Sequence, residues 1–104
     1  MAFHSLKVAY RLPRPEFNNE EFHSLTAISP ILVDLTLDQE GLLWSNHGNK
    51  RKREEYSGEL RFATHFAPEY MGGYGRGRAE FCATLVNGVV QSLRVNEIVR
   101  PYIG

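Results

Sequence analysis

Two segments of the sequence concentrate the residue types with which proteins hold other molecules. One is rich in tyrosine, glycine and arginine and covers residues 67–78, and the other is a stretch over residues 47–57 that contains four consecutive basic residues. Tyrosine rings stack and fill pockets, arginine makes charge-assisted contacts, and glycine lets a backbone approach its ligand closely. The candidate contact residues of the first segment are Tyr70, Tyr74, Arg76 and Arg78.

The basic run of the second segment is Lys50, Arg51, Lys52 and Arg53. A run of this kind can contact phosphates or an anionic partner. Two acidic residues, Glu54 and Glu55, follow at once, so four positive and two negative charges leave a local charge of +2. The same pattern is typical of a solvated loop that only keeps the chain soluble, and the sequence leaves both interpretations open.

The four histidines indicate no metal site. They lie 19, 24 and 18 residues apart, and no cysteine stands near them at ligand spacing. An RNase-like reaction needs a general base, a general acid and a cation at the phosphate. By residue type alone, those roles would fall to His47 or His65 with Glu54, Tyr56 and Arg61. We therefore expect no metal and no cofactor, and catalysis ranks third among the hypotheses.

The bulk composition excludes several classes of protein. Twelve basic and twelve acidic residues cancel in a chain of 104 residues, which excludes the coating of a polyanion through bulk charge. A single cysteine, Cys82, excludes an intramolecular disulfide and a zinc site built on cysteine pairs. No apolar run approaches the roughly 20 residues that cross a bilayer, and residues 1–12 alternate instead of forming a leader. We expect a cytoplasmic protein without a membrane partner.

The elements that must position these residues are mostly strands. Apolar and polar residues alternate with a period of two, which places one face of each strand in a core. The pair Asn87-Gly88 predicts a tight hairpin, because a type I′ turn requires positive φ at both central residues. The alternation predicts six strands, over residues 4–12, 31–38, 41–46, 58–66, 78–86 and 88–99.

Residues 18–28 are predicted as the one helix of the chain. An asparagine can cap its N-terminus, acidic residues follow in the first turn, Phe22 and Leu25 share a face, and a proline ends it. Thr26 and Ile28 would also suit a strand, so the segment stays open between helix and strand.

Together these elements predict a single domain over residues 1–104, of the β-rich α+β class. Short connections favour antiparallel neighbours, so we expect a mostly antiparallel curved sheet or small barrel of about six strands, with one short helix near residues 18–28. The two candidate loops leave opposite ends of the strand over residues 58–66. They can therefore form one patch only if one of them folds back over the sheet.

Three functions are compatible with these residues. The leading hypothesis is a non-enzymatic binding module that holds a protein partner through residues 67–78, with Tyr70 and Tyr74 as aromatic anchors and Arg76 and Arg78 as charged contacts. The second is a single-stranded nucleic-acid-binding protein that uses both segments. The third is a metal-independent nuclease or hydrolase. Exposed edge strands also favour a homodimer.

Overall fold

The computed structural model describes residues 4–18, 20–28, 33–66 and 75–101. Within them lie eight strands: β1 (Ser5–Val8), β2 (Phe22–Ser24), β3 (Asp34–Leu37), β4 (Leu43–His47), β5 (Lys50–Arg53), β6 (Gly58–Phe66), β7 (Gly75–Val86) and β8 (Val89–Pro101). They form one open mixed sheet in the order β5-β4-β3-β1-β2-β6-β7-β8. The described residues include no helix long and apolar enough to cross a bilayer.

One face of the sheet builds the hydrophobic core, and the opposite face is called the outer face below. Successive residues of a strand point to opposite faces, so in β6 Leu60 and Phe62 are buried while Glu59 and Arg61 are exposed. Removing this apolar surface from water is the main force that favours folding. The largest buried apolar side chains are Leu6, Leu12, Phe22, Leu35, Leu37, Leu43, Leu60, Phe62, Phe81 and Leu85.

A cluster of three phenylalanines joins the short strand β2 to the rest of the core. The ring centroid of Phe22 in β2 lies 5.1 Å from that of Phe62 in β6 and 5.5 Å from that of Phe81 in β7, both edge to face. Phe62 and Phe81 stack on each other at 5.3 Å. Such pairs contribute about 0.5–1.5 kcal/mol each beyond their burial. β2 has two register pairs with each neighbour, and this packing adds to that short ladder.

The β1–β3 pair is the one parallel pair among the described strands. Leu6 of β1 is opposite Leu35 of β3, and the same register continues to Val8 and Leu37. All other neighbouring strands pair antiparallel. The prediction of a β-rich, mostly antiparallel structure is therefore confirmed, although the sheet is mixed.

The predicted helix over residues 18–28 is wrong. Its described residues contain strand β2, and the helical residues of this region form a single 3₁₀ turn, Pro15–Phe17, that precedes it. Phe22 and Ser24 are buried while His23 between them is half-buried, which is the two-residue period of a strand. The burial of Phe22 against two other phenylalanines outweighs the local helix signals, since tertiary packing routinely overrides propensity.

The predicted loop over residues 47–57 is also wrong in its first half. Gly48 and Asn49 form a two-residue hairpin turn, and the basic run forms β5. Gly48 has φ +62°, the positive value that a type II′ turn needs at its first central residue. The basic run shows no alternation because β5 lies at the edge of the sheet and carries no buried side chain. The described residues form eight strands in one open sheet, where the sequence predicts a curved sheet or small barrel of about six strands.

The last two predicted strands are confirmed with small changes at their ends. Asn87 and Gly88 connect β7 and β8 with φ of 51° and 74°, which are the positive values that a type I′ turn requires. β7 begins at Gly75, so residues 75–78 of the predicted binding loop belong to a strand.

The β7–β8 turn also meets the opposite half of the sheet. Gly88 O accepts a hydrogen bond from Leu43 N at 2.9 Å, and Gly41 O accepts one from Val90 N at 2.9 Å. Gly88 N donates to Tyr56 O at 2.8 Å, which adds the segment after β5 to the same contact. The two hairpins β4–β5 and β7–β8 therefore support each other through main-chain bonds.

We expect Gly88→Ala to destabilise the protein far more than Gly48→Ala. Both glycines have positive φ, which costs an L residue roughly 1–2 kcal/mol. A Cβ at Gly88 would collide with the carbonyl oxygen of Glu54, whereas a Cβ at Gly48 meets nothing within 4 Å. Urea unfolding should therefore give a loss of about 1–2 kcal/mol for Gly48→Ala and at least about twice that for Gly88→Ala. Equal losses would contradict the contact between the hairpins.

Candidate functional site

The predicted contact residues lie in two separate parts of the sheet. The basic run forms β5 at one edge, and Arg78 lies in β7, opposite His65 of β6. Arg53 contacts the turn at Asn87, nine residues from Arg78, which corresponds to about 30 Å along a strand. The described structure therefore does not bring the basic run and Arg78 together.

The tyrosines of the predicted binding segment cannot be placed in the same way. Tyr70 and Tyr74 lie outside the described residues. Arg76 belongs to β7, two positions before Arg78 in the same strand.

The basic run packs against the chain's single tryptophan. Trp44 of β4 is opposite Arg53, and Asn46 is opposite Arg51, so both arginines share the outer face with the indole. The guanidinium carbon of Arg51 lies 4.0 Å from the Trp44 ring centroid, and that of Arg53 lies 5.4 Å from it. Both distances are within the range of cation–π attraction. Trp44 thus serves as a platform that orders two cations at the sheet edge.

Asp38 fixes the orientation of this platform. Its Oδ2 accepts a hydrogen bond from Trp44 Nε1 at 2.8 Å, and its Oδ1 accepts bonds from the main-chain nitrogens of Glu40 and Leu42. Burial raises the pKa of Asp38, but the bonds from Trp44, Leu42 and Glu40, together with the charge of Arg51, outweigh burial and lower it overall. The carboxylate therefore stays ionised at neutral pH and holds the indole in place.

The four cations of β5 do not have equal freedom. Arg53 is half-buried, and its Nη1 donates to Leu43 O at 2.7 Å while its Nη2 donates to Asn87 O at 3.3 Å. These bonds tie β5 to the β7–β8 turn, so Arg53 has a structural role. Lys50, Arg51 and Lys52 are exposed, and they are the charges that an incoming molecule would meet.

A serine, a histidine and a glutamate also meet beside the basic run. Ser45 Oγ lies 2.9 Å from His47 Nε2 and donates to Glu54 Oε1 at 2.6 Å. In a nucleophilic triad the histidine stands between the other two residues and takes the serine proton. Here the serine stands in the middle, its proton points to the glutamate, and Ser45 has no exposed surface. The contact satisfies a buried hydroxyl and provides no accessible nucleophile.

A second group of ionisable side chains lies on the outer face of β2, β6 and β7. The rings of His23 and His65 stack with centroids 5.9 Å apart. Arg78 lies opposite His65, and its Nε is 2.9 Å from Glu80 Oε1. Burial, followed by the charges of Arg78 and His65, lowers the pKa of His23. The fold therefore gathers three nitrogen-bearing groups that are far apart in the sequence.

A third cluster crosses β6, β7 and β8 on the same face, where Cys82 lies between Arg61 and Arg94 in the register. Cys82 Sγ donates to Glu59 Oε2 at 2.8 Å, and Arg94 Nη2 donates to the same oxygen at 3.1 Å. Burial, followed by the hydrogen bond to Glu59, raises the pKa of Cys82. The thiol is therefore protonated at neutral pH and is a poor nucleophile.

Sequence reasoning missed the pairing of His23 with His65. The 41 residues between them follow no ligand motif, and the predicted helix places His23 in a different kind of element. The available signal was alternation, because His65 and Arg61 share the outward positions of β6 and His23 takes the outward position between two buried residues. No group of three or more His, Cys, Asp or Glu residues within the described ranges is arranged to hold a metal ion.

We expect Glu59→Gln and Arg94→Gln to move the pKa of Cys82 in opposite directions. Loss of the Glu59 carboxylate leaves the thiol beside Arg94 and lowers the pKa, whereas loss of Arg94 raises it. The rate of iodoacetamide alkylation against pH measures this, since half a pKa unit changes the thiolate fraction about threefold. Shifts in the same direction in both variants would point to altered packing instead of charge.

Comparisons with known proteins add no identity to this geometry. No protein-family model, no curated protein and no solved structure matches the chain. The functional argument therefore depends on the residues and contacts described above.

Proposed function

We propose that the protein is a non-enzymatic binding module, and that an extended acidic segment of a protein partner pairs with the edge of β5 that no described strand covers. The observation that carries this proposal is a strand of four consecutive cations at the end of the sheet, with a neighbour on one side. An edge strand offers unpaired main-chain N–H and C=O groups to another chain. Addition of a peptide strand to such an edge is a common mode of recognition.

The hairpin register indicates which main-chain groups face the partner. In a two-residue hairpin, the pair that flanks the turn exchanges hydrogen bonds, and bonded and non-bonded pairs then alternate. His47 and Lys50 flank the turn, so Lys50 and Lys52 direct their main-chain groups toward β4. Arg51 then directs its N–H and C=O outward. The side chain of Arg51 lies on Trp44, so a partner strand would meet an ordered residue at this point.

Charge favours a different protein over a second copy of this chain at the same edge. Two β5 strands side by side would place four cations against four, which opposes self-pairing and is one way in which proteins protect an edge. An acidic segment has the opposite charge, and its carboxylates would make charge-assisted contacts with the exposed cations of β5. A homodimer remains a proposal for the other edge, β8, which lacks such a run.

The tyrosine-rich segment remains a proposed second contact. Tyr70 and Tyr74 would act as aromatic anchors, with Arg76 and Arg78 as charged contacts. Arg78 already contacts Glu80, and that contact would hold its guanidinium in position. Since β5 and Arg78 are far apart, residues 67–78 would contact a different part of the partner from the segment that pairs with β5.

The separation of the two cationic regions counts against the nucleic-acid alternative. A single strand that uses both regions would need a continuous basic path, and about 30 Å of strand separates them. Salt dependence distinguishes the two functions, because single-strand affinity falls by roughly 0.7 log units per phosphate contact for each log unit of salt.

We expect a short acidic β-forming peptide of alternating Glu and Val to bind and to change the emission of Trp44. Lys50→Glu with Lys52→Glu should weaken this binding at least about tenfold, since two exposed charge contacts are reversed. Lys7→Glu with Arg11→Glu is the matched control, because both residues are exposed away from the edge and the net charge changes equally. A fully N-methylated peptide keeps its charge but cannot donate main-chain hydrogen bonds, and it should not bind.

Three outcomes would contradict the proposal. Equal weakening by both double variants would indicate attraction by net charge alone, and unchanged binding of the N-methylated peptide would exclude strand addition. Tighter binding of an oligothymidine of the same charge would favour the nucleic-acid alternative. Tyr74→Ala with Arg76→Ala, tested for capture of the native partner at unchanged thermal stability, separately measures the contribution of residues 67–78.

A further inference from the structure

A groove of about 210 Å³ lies on the outer face of the sheet, where β6, β7 and β8 run side by side. Arg61 of β6 is opposite Cys82 of β7, and Cys82 is opposite Arg94 of β8. A short side chain thus stands between two long ones, whose strands are roughly 10 Å apart. Glu80 and Asn96, which pair with each other in the next outward row, line the other end of the groove. The groove is therefore the space that Cys82 leaves between the two arginines.

The size and the walls of the groove favour a small, partly apolar molecule. Pockets for drug-sized ligands measure about 300–1,000 Å³, so this groove suits a smaller one. Leu25 lines one side, where its main-chain nitrogen donates to Arg61 O at 2.7 Å. The side chain of Leu25 and the aliphatic stems of Arg61 and Arg94 provide apolar contact surface, while both guanidinium groups reach the solvent.

Both guanidinium groups have donors that the described structure leaves unused. Arg94 makes its two contacts through Nη2 alone, with Glu59 Oε2 at 3.1 Å and with Cys82 Sγ at 3.8 Å. Arg61 Nη2 lies 4.0 Å from the same carboxylate oxygen, which is too far for a hydrogen bond. The side chains of Arg94 and Arg61 are 76% and 62% exposed, so an incoming molecule can reach them.

Glu59 shows that a carboxylate is stable beside these two arginines. The hydrogen bond from Cys82, followed by the charge of Arg61, lowers the pKa of Glu59. Glu59 reaches the arginines from the side of Thr84, its partner in the register, whereas the groove opens on the side of Asn96. Glu59 therefore neutralises one of the two positive charges and leaves the other for a ligand.

We propose that this groove binds a small monocarboxylic acid with an apolar group, and that Arg61 and Arg94 hold its carboxylate. Hydrogen bonds between guanidinium and carboxylate groups are charge-assisted, and they are often bidentate. One negative charge matches the positive charge that Glu59 leaves, since the carboxylate of Glu80 is already paired with Arg78 Nε at 2.9 Å. The site lies at the opposite end of the strand order from β5, and the inference does not depend on the proposed partner binding.

The test is a titration with sodium benzoate at constant ionic strength, followed through the main-chain NMR signals of Cys82 and Asn96. A ligand of this size reaches roughly millimolar affinity, so the shifts should saturate as benzoate is added. Benzamide keeps the ring without the charge, and acetate keeps the charge without the ring, so both should bind at least about tenfold more weakly. A lack of saturation with benzoate, or equal affinity for either control ligand, would overturn the proposal.

Arginine variants locate the carboxylate of the ligand. Arg61→Gln and Arg94→Gln should each weaken benzoate binding about fivefold, because each removes a charge-assisted contact at the surface. Arg11→Gln is the matched control, since Arg11 is exposed away from the groove and the net charge changes equally. Equal weakening in all three variants would overturn the proposal, because benzoate would then respond to net charge alone.

Glu59→Gln should have the opposite effect, because it removes the carboxylate that competes for Arg94. Benzoate binding should become about threefold tighter or more. Glu40→Gln changes the net charge equally at an exposed position between β3 and β4, and it should bind benzoate as the wild type does. Unchanged or weaker binding in Glu59→Gln would contradict the proposed position of the ligand.

Alkylation of Cys82, the single cysteine of the chain, gives a readout that is independent of NMR. Bound benzoate would cover the thiol, and its negative charge would disfavour the thiolate. Saturating benzoate should therefore slow the reaction with iodoacetamide, whereas benzamide at the same concentration should not. An unchanged rate at saturation would place the ligand outside the groove and overturn the proposal.

Discussion

The burial of one phenylalanine in a three-residue strand packs the two halves of the sheet against each other at the centre of the core. In the order of the sheet β2 lies between β1 and β6 and is bound on each side by two register pairs. Main-chain bonds of Gly88 and Val90 join the two halves a second time, between the β4–β5 and β7–β8 hairpins. Phe22 compensates for this short ladder by packing against Phe62 and Phe81. The same strand places His23 on the outer face, because consecutive side chains point to opposite faces, and there the ring of His23 stacks on that of His65. The core and the stacked histidines of the outer face thus depend on the same short strand.

The far edge of the sheet depends on a different kind of interaction. β5 contributes no buried apolar side chain, so cation–π contacts with Trp44 and the hydrogen bonds of Arg53 take the place of hydrophobic burial. Asp38 secures Trp44 and is itself held by main-chain donors. One arginine therefore stabilises the edge while the neighbouring cations face solvent. This division of roles lets a strand with high charge density remain part of the sheet and still carry a recognition surface.

Local chemistry explains which parts of the fold can be predicted from the sequence. The alternation in β6, β7 and β8 and the turn at Asn87-Gly88 are signals within a few residues of each other, and they predict that region well. β2 was mistaken for a helix because its strand character comes from distant phenylalanines. β5 was mistaken for a loop because an edge strand without a buried face shows no alternation, although Gly48-Asn49 is a recognised hairpin signal. The stacking of His23 on His65 needs the correct register of β2 against β6, which no local pattern contains.

The central place of β1 has a consequence for the order in which the chain can assemble. β6, β7 and β8 follow one another in the chain and pair antiparallel, so their ladders can form with little loss of chain entropy. β1 instead pairs in parallel with β3, 29 residues away, and the chain must close a large loop before any of those bonds form. We therefore expect the β1–β3 ladder to form after the β6–β7 and β7–β8 ladders. Until then, the edge of β6 stays open, and β2 of the N-terminal half later pairs with it.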